Sequence, residues 1–95
     1  MPHILITGHK VTDYARWKSK FDADRAMRKA GGEKTYQIFH HADNPNSLVL
    51  LFEWDSEENF KRYAQSEELR RAQQQAGVTG HPEIHVLEKI EEARL

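Results

Sequence analysis

The sequence predicts an α+β domain in which a four-stranded antiparallel sheet carries its helices on one face. Three observations predict it. Apolar residues recur with a strand period in some segments and a helical period in others. These segments run in the order strand, helix, strand, strand, helix, strand. The third strand, SLVLLFEW, is apolar from Leu48 through Phe52 without a polar break, which places it inside a sheet covered on both faces. Two right-handed crossovers separated by a hairpin then give βαββαβ, the ferredoxin-like arrangement, with strand order 4-1-3-2.

Each element has its own signal. HILITGHK alternates Ile4 and Ile6 against His3, Leu5 and Thr7, which reads as a strand over 3–10. Thr12 is positioned as an N-cap for a helix whose apolar stripe is Tyr14, Trp17, Phe21 and Met27. Gly31 and Gly32 end that helix. EKTYQIFHH is the second strand, and ADNPN supplies the turn residues of a hairpin over 33–54. Asp55 or Ser56 caps the next helix, with Glu58 placed for a capping box; Ser66 caps a restart, and Gly77 stops it. HPEIHVLEKI is the last strand, opening at Pro82, and EEARL is a frayed end.

A hairpin turning at 42–46 sets residue 40 against 48, 38 against 50 and 36 against 52. One face then collects Tyr36, Ile38, His40, Leu48, Leu50, Phe52 and Trp54 and meets Trp17, Phe21, Phe60 and Tyr63 from the helices. The opposite face collects Thr35, Gln37, Phe39, His41, Val49, Leu51 and Glu53. Phe39, Val49 and Leu51 would lie in water on a lone protomer, so this face predicts a homodimer packed sheet against sheet.

At 95 residues the chain has room for one domain, spanning 1–95, with a thin core. Fourteen Lys and Arg against fifteen Asp and Glu supply no overall attraction to nucleic acid or an acidic membrane. The basic residues Arg16, Lys18, Lys20, Arg25, Arg28 and Lys29 read as a solvated helix face. With no cysteine there is no disulfide and no thiolate nucleophile or ligand. MPHILITGHK is too short an apolar run for a leader or a membrane span, so the expected location is the cytoplasm. Phosphate-loop patterns and the aromatic signature of RNA-binding sheets are absent.

Six histidines raise the question of a metal. His40 and His41 are adjacent on a strand and point to opposite faces, and no set of three or four ligands converges, so no metal is expected. A single imidazole, His40 or His85, is the candidate general base, against a plain structural role. Trp17 and Phe21, four apart on one helix face, fit core packing and equally the wall of a cavity. Trp54 ends a strand, where its indole N–H can reach a ligand or a loop carbonyl.

The runs HKVTDYARWKSKFD, RKAGG, NPNSLVLLFEWDSEENFKRYAQSEELRRAQQQAGV and PEIHVLE resemble small bacterial proteins of the dimeric α+β barrel superfamily. Within it the chain is most similar to antibiotic biosynthesis monooxygenase-like proteins, some of them termed cyclases. Glu53–Trp54 and the split helix over 56–76 carry the resemblance along with the strand order. It implies cofactor-independent oxygenation of a phenolic or polycyclic aromatic compound, bound between sheet and helices. Trp54 and Trp17 match the pocket wall, and Phe21, Tyr36 and Phe52 extend it as candidate substrate-binding residues. His40, His41 and His85 do not form the axial pattern of haem-binding relatives, so no cofactor is expected. The other reading is a non-catalytic dimeric module that binds a ligand or a partner.

Overall fold

The computed structural model describes all residues from Met1 to Leu95. Nine elements follow one another: β1 (His3–Val11), α1 (Tyr14–Ala23), α2 (Arg25–Gly31), β2 (Glu33–His41), β3 (Asn44–Trp54), α3 (Glu57–Ala64), α4 (Glu67–Ala76), β4 (Val78–Thr79) and β5 (Glu83–Leu87). All pairings are antiparallel. The sheet runs β2-β3-β1, with β4 and β5 sharing the far side of β1. This is the expected ferredoxin-like order, with β3 in the interior.

The hairpin register agrees with the expectation from the turn: Tyr36 pairs with Phe52, Ile38 with Leu50 and His40 with Leu48. Leu48, Leu50, Phe52 and Trp54 are buried on the helix side, each apolar chain worth about 1.5–3 kcal/mol when fully withdrawn from water. Trp17 and Phe60 meet them from the helices, with Phe21 and Tyr63 packed against the cluster. His40 belongs to the same face by register but lies exposed at the hairpin end, its Nδ1 within 2.7 Å of the His41 carbonyl.

β1 departs from simple alternation. Ile6 pairs with Leu50, yet the next partner on the strand, His9, pairs with Leu48, so Thr7 and Gly8 share the space opposite Val49. Gly8 has φ 66°, the left-handed conformation that glycine adopts at low cost in such a bulge. The extra residue changes the parity of the strand. Before it the even residues Ile4 and Ile6 face the helices; after it the odd residues His9 and Val11 do, and both are buried.

The helices differ from expectation in three details. Asp13, not Thr12, caps α1, its carboxylate accepting from the Ala15 amide at 3.2 Å. Thr12 instead donates its backbone N–H to the Gly77 carbonyl. The first helix breaks at Asp24 (φ −93°, ψ 8°), which ends α1 and begins α2. The break re-aims α2 so that Arg28 turns inward and is only 2% exposed, contrary to its assignment to a solvated basic face. Ser56 caps α3, so Asn59 rather than Glu58 occupies the third helical position and donates its amide to Ser56 Oγ. The restart at Ser66 is as expected, with Gly77 (φ 79°) closing α4.

The last strand is split rather than continuous over 81–90. β4 lies along Lys10–Val11 and β5 along His3–Thr7. The gap, Gly80 to Pro82, lies beside the bulge of β1, and Pro82 has no N–H to give to a ladder. No helix is long and apolar enough to cross a membrane.

Candidate functional site

Between the sheet and the helices lies a cavity of about 220 Å³. Its floor is Ile6 and His9 of β1, Glu33 of β2, and Leu50, Phe52 and Trp54 of β3. Trp17, Lys20, Phe21, Asp24 and Arg28 form one side, while Phe60, Tyr63, Ala64, Leu69, Ala72, Gln73 and Ala76 form the roof. The roof follows from sequence spacing: Leu69, Ala72 and Ala76 recur on one face of α4. Alanines there leave room where larger residues would fill it. Val78, Pro82 and Ile84 complete the rim.

The aromatic wall is ordered. Trp17 and Phe21 stack at 4.8 Å between ring centroids. Phe21 packs 6.2 Å from Phe52. Trp54 meets Phe60 edge-on at 5.5 Å and Tyr63 at 5.3 Å. Of the sequence candidates, Trp17, Phe21, Phe52 and Trp54 therefore come together around one cavity. Tyr36 does not line it; it stands behind Phe21, edge-on at 5.1 Å.

The two candidate histidines are elsewhere. His40 is exposed at the hairpin end. His85 pairs with Leu5 on the outer sheet face, 3.5 Å from the Glu83 carboxylate. Neither lines the cavity. The histidine that does is His9, carried there by the bulge and set edge-on to Trp17 at 5.5 Å. Burial lowers its pKa from 6.5 to about 4, so the ring is neutral near pH 7. A lone glycine inside a strand pattern is the sequence signal of such a bulge, and Gly8 is that glycine.

Arg28 is the second residue that the sequence reading left outside the site. Its Nε lies 3.1 and 3.2 Å from the two Glu33 carboxylate oxygens, and its Nη1 donates to the Phe21 carbonyl. The guanidinium carbon sits 3.6 Å from the Phe21 ring centre and 5.7 Å from that of Tyr36, so the cation is stacked as well as paired. Burial pushes the Glu33 carboxyl above the ordinary carboxylate range, and the Arg28 charge opposes that shift without cancelling it. Burial also raises the Tyr63 hydroxyl to about 12, keeping it protonated.

Several polar atoms of cavity-lining residues are buried without a hydrogen-bond partner: both ring nitrogens of His9, Arg28 Nη2 and Trp54 Nε1. Unpaired buried polar groups each cost roughly 1–3 kcal/mol, and four such atoms belong to residues lining this one cavity. No three His, Asp or Glu side chains converge as a metal site.

Comparison with solved structures finds the same architecture. SnoaB, a cofactor-independent oxygenase from Streptomyces nogalater, superposes with a TM-score of 0.75 at 17% identity, covering 96% of this chain and 95% of that one. A Bordetella bronchiseptica protein provisionally described as an antibiotic biosynthesis monooxygenase gives 0.75 at 16% identity over 95% and 98% of the two chains. Rv0793 from Mycobacterium tuberculosis gives 0.65 at 20% identity over 99% and 100%. At such identities the likeness concerns the fold. No curated protein sequence matches the chain. The family model for antibiotic biosynthesis monooxygenase, however, matches residues 16–75, from α1 to α4, and so takes in the aromatic wall, the doubly apolar strand and the split roof; the chain belongs to the antibiotic biosynthesis monooxygenase family.

Proposed function

We propose that the protein is a cofactor-independent monooxygenase of a phenolic or fused-ring aromatic compound. The observation that carries this reading is the cavity itself: stacked aromatic walls with a neutral, unpartnered imidazole in the floor. Trp17, Phe21, Phe52 and Trp54 hold the rings. His9 accepts the proton of a substrate hydroxyl. The resulting electron-rich anion reduces dioxygen, a carbon–oxygen bond forms, and the oxygen–oxygen bond breaks. One oxygen atom stays in the product as a carbonyl and the other leaves as water, the substrate supplying every electron. A neutral base suits this step, because proton transfer to His9 creates an imidazolium beside the new anion and leaves the total charge of the site unchanged.

The working unit in this proposal is a homodimer closed through the outer sheet face, which bears Phe39 at 52% exposed beside Val49 and Leu51.

The second reading is a non-catalytic ligand-binding module. It is favoured by the depressed pKa of His9, which makes the ring a weak base before any ligand enters. Oxygen uptake with a panel of naphthols and anthrones separates the two. The expected result is one dioxygen consumed per substrate, with His9→Ala slowing the rate by roughly 10²–10⁴-fold and His40→Ala and His85→Ala leaving it unchanged. Binding without oxygen uptake by the parent protein establishes the module instead.

A further inference from the structure

α4 reads EELRRAQQQA, and the residues it gives to the cavity are Leu69, Ala72, Gln73 and Ala76. Two of these end at Cβ and one is polar, so beyond Leu69 the helix has no long apolar chain to extend across the sheet. β5 shows the result. Ile4 pairs with Val86 and Ile6 with Ile84, and residues directly opposite share a face, so Ile84 and Val86 point to the helix side. Ile4 is fully buried there, whereas Val86 is 41% exposed and Ile84 50%. The roof therefore ends over β1, and Ile84 lines the cavity with half of its surface in water.

Elsewhere the boundary is held by bonds. At one end Arg28 is bonded to Glu33 and to the Phe21 carbonyl, and the Asp55 amide donates to the Gly32 carbonyl at 2.9 Å. At the other end the Thr12 amide donates to the Gly77 carbonyl at 3.1 Å, tying the start of α1 to the end of α4. No hydrogen bond or ion pair joins α3 or α4 to β5.

We propose that the space between α4 and β5 is the mouth of the cavity, and that Ile84 is the residue a guest passes on entering and leaving. The proposal rests on the cavity receiving a guest, as in the function proposed above, and adds the route. Passage at this mouth displaces apolar contacts and water and breaks no hydrogen bond. Passage at either end must part a bonded pair and leave buried polar groups unsatisfied, at roughly 1–3 kcal/mol each. The two lips are of unlike stiffness. Ile84 stands on a strand paired along its length to β1, while Leu69 and Gln73, half-buried opposite it, stand on a helix with no bond to that strand. A side chain in the path but outside the final contacts raises the barrier to entry and to exit equally, and leaves the affinity as it was.

The chain suits a direct test. It has no cysteine, so a single introduced thiol can be labelled alone. Its only two tryptophans, Trp17 and Trp54, both line the cavity, so their fluorescence reports on it. Ile84→Cys and Val86→Cys are each capped with N-cyclohexylmaleimide; Val86 shares the strand and face of Ile84 but does not line the cavity. Acrylamide quenching needs no ligand to bind. The cap at 84 should reduce it and the cap at 86 should not. Stopped-flow mixing with 1-naphthol under nitrogen then reads the rates. The cap at 84 should slow association and dissociation together by about 10-fold, a barrier increase of about 1.4 kcal/mol, with Kd unchanged. Acrylamide quenching that is untouched by the cap at 84, or reduced equally by the cap at 86, overturns the inference. So does a cap at 84 that weakens naphthol binding without slowing its release, since Ile84 would then be a wall contact. Protection from acrylamide with no naphthol binding by the parent leaves the mouth standing and removes the aromatic-ligand reading.

Discussion

His9 stores free energy as a buried neutral imidazole. Its pKa falls from 6.5 to about 4 on folding because burial disfavours the cation. Between those values the unfolded chain binds the proton and the folded chain does not, so stability rises with pH across that window and is lost as the pH drops through it. Urea unfolding should show about 2 kcal/mol less stability near pH 4.5 than near pH 7 from this group alone. His9→Gln should flatten that part of the profile, and an unchanged slope in the variant would contradict the buried assignment. Glu33 acts with the opposite sign, since its raised pKa makes acid relieve the cost of its burial, so the comparison of parent with variant isolates the histidine. Neither residue was legible as a site residue. His9 was hidden because a single inserted glycine reverses which residues face inward. Arg28 was hidden because RKAGG is indistinguishable by composition from an exposed basic turn. Trp17, Phe21, Phe52 and Trp54 were legible, since large aromatic residues at helix and strand periods have only one layer to pack into.

At the scale of elements, local chemistry was readable at the caps Ser56 and Ser66 and at the stop Gly77, missed by one residue at Thr12 and Glu58, and unreadable where tertiary packing bent the chain. Ser66 illustrates the first case. Its Oγ accepts from the Leu69 amide at 3.2 Å and donates to the Tyr63 carbonyl at 2.7 Å, joining the end of α3 to the start of α4. Ser66→Ala should cost about 1 kcal/mol, a fall of roughly 4–8 °C in Tm for a domain of this size. A thermal melt checks it, and an unchanged Tm would show that the junction is held by packing instead. Asp24 illustrates the second case. No glycine or proline marks the break between α1 and α2, and the geometry is set by what Arg28 reaches, the Glu33 carboxylate and the Phe21 carbonyl. The split between β4 and β5 is likewise a response to the bulge in a neighbouring strand, a non-local cause.

At the scale of the whole molecule the interior place of β3 followed from its doubly apolar run, and the hairpin register from the turn at 42–46. Its outer side, where Val49 and Leu51 remain half-buried and Phe39 exposed, is the basis of the proposed pairing of two copies. Sedimentation at micromolar concentration should give twice the mass of one chain, and Leu51→Lys should return a folded single chain, because an unpaired charge at the centre of a self-matching surface is met by its own copy. A parent protein that sediments as one chain would remove the dimer. The roof has a different consequence. Four short helices cover the cavity where two long ones would serve, and they are joined by Asp24 alone in the first pair and by Gln65–Ser66 in the second. A vault of such short spans gathers its breaks in regular helix at two seams, and none falls in β3, which supplies Leu50, Phe52 and Trp54 to the floor.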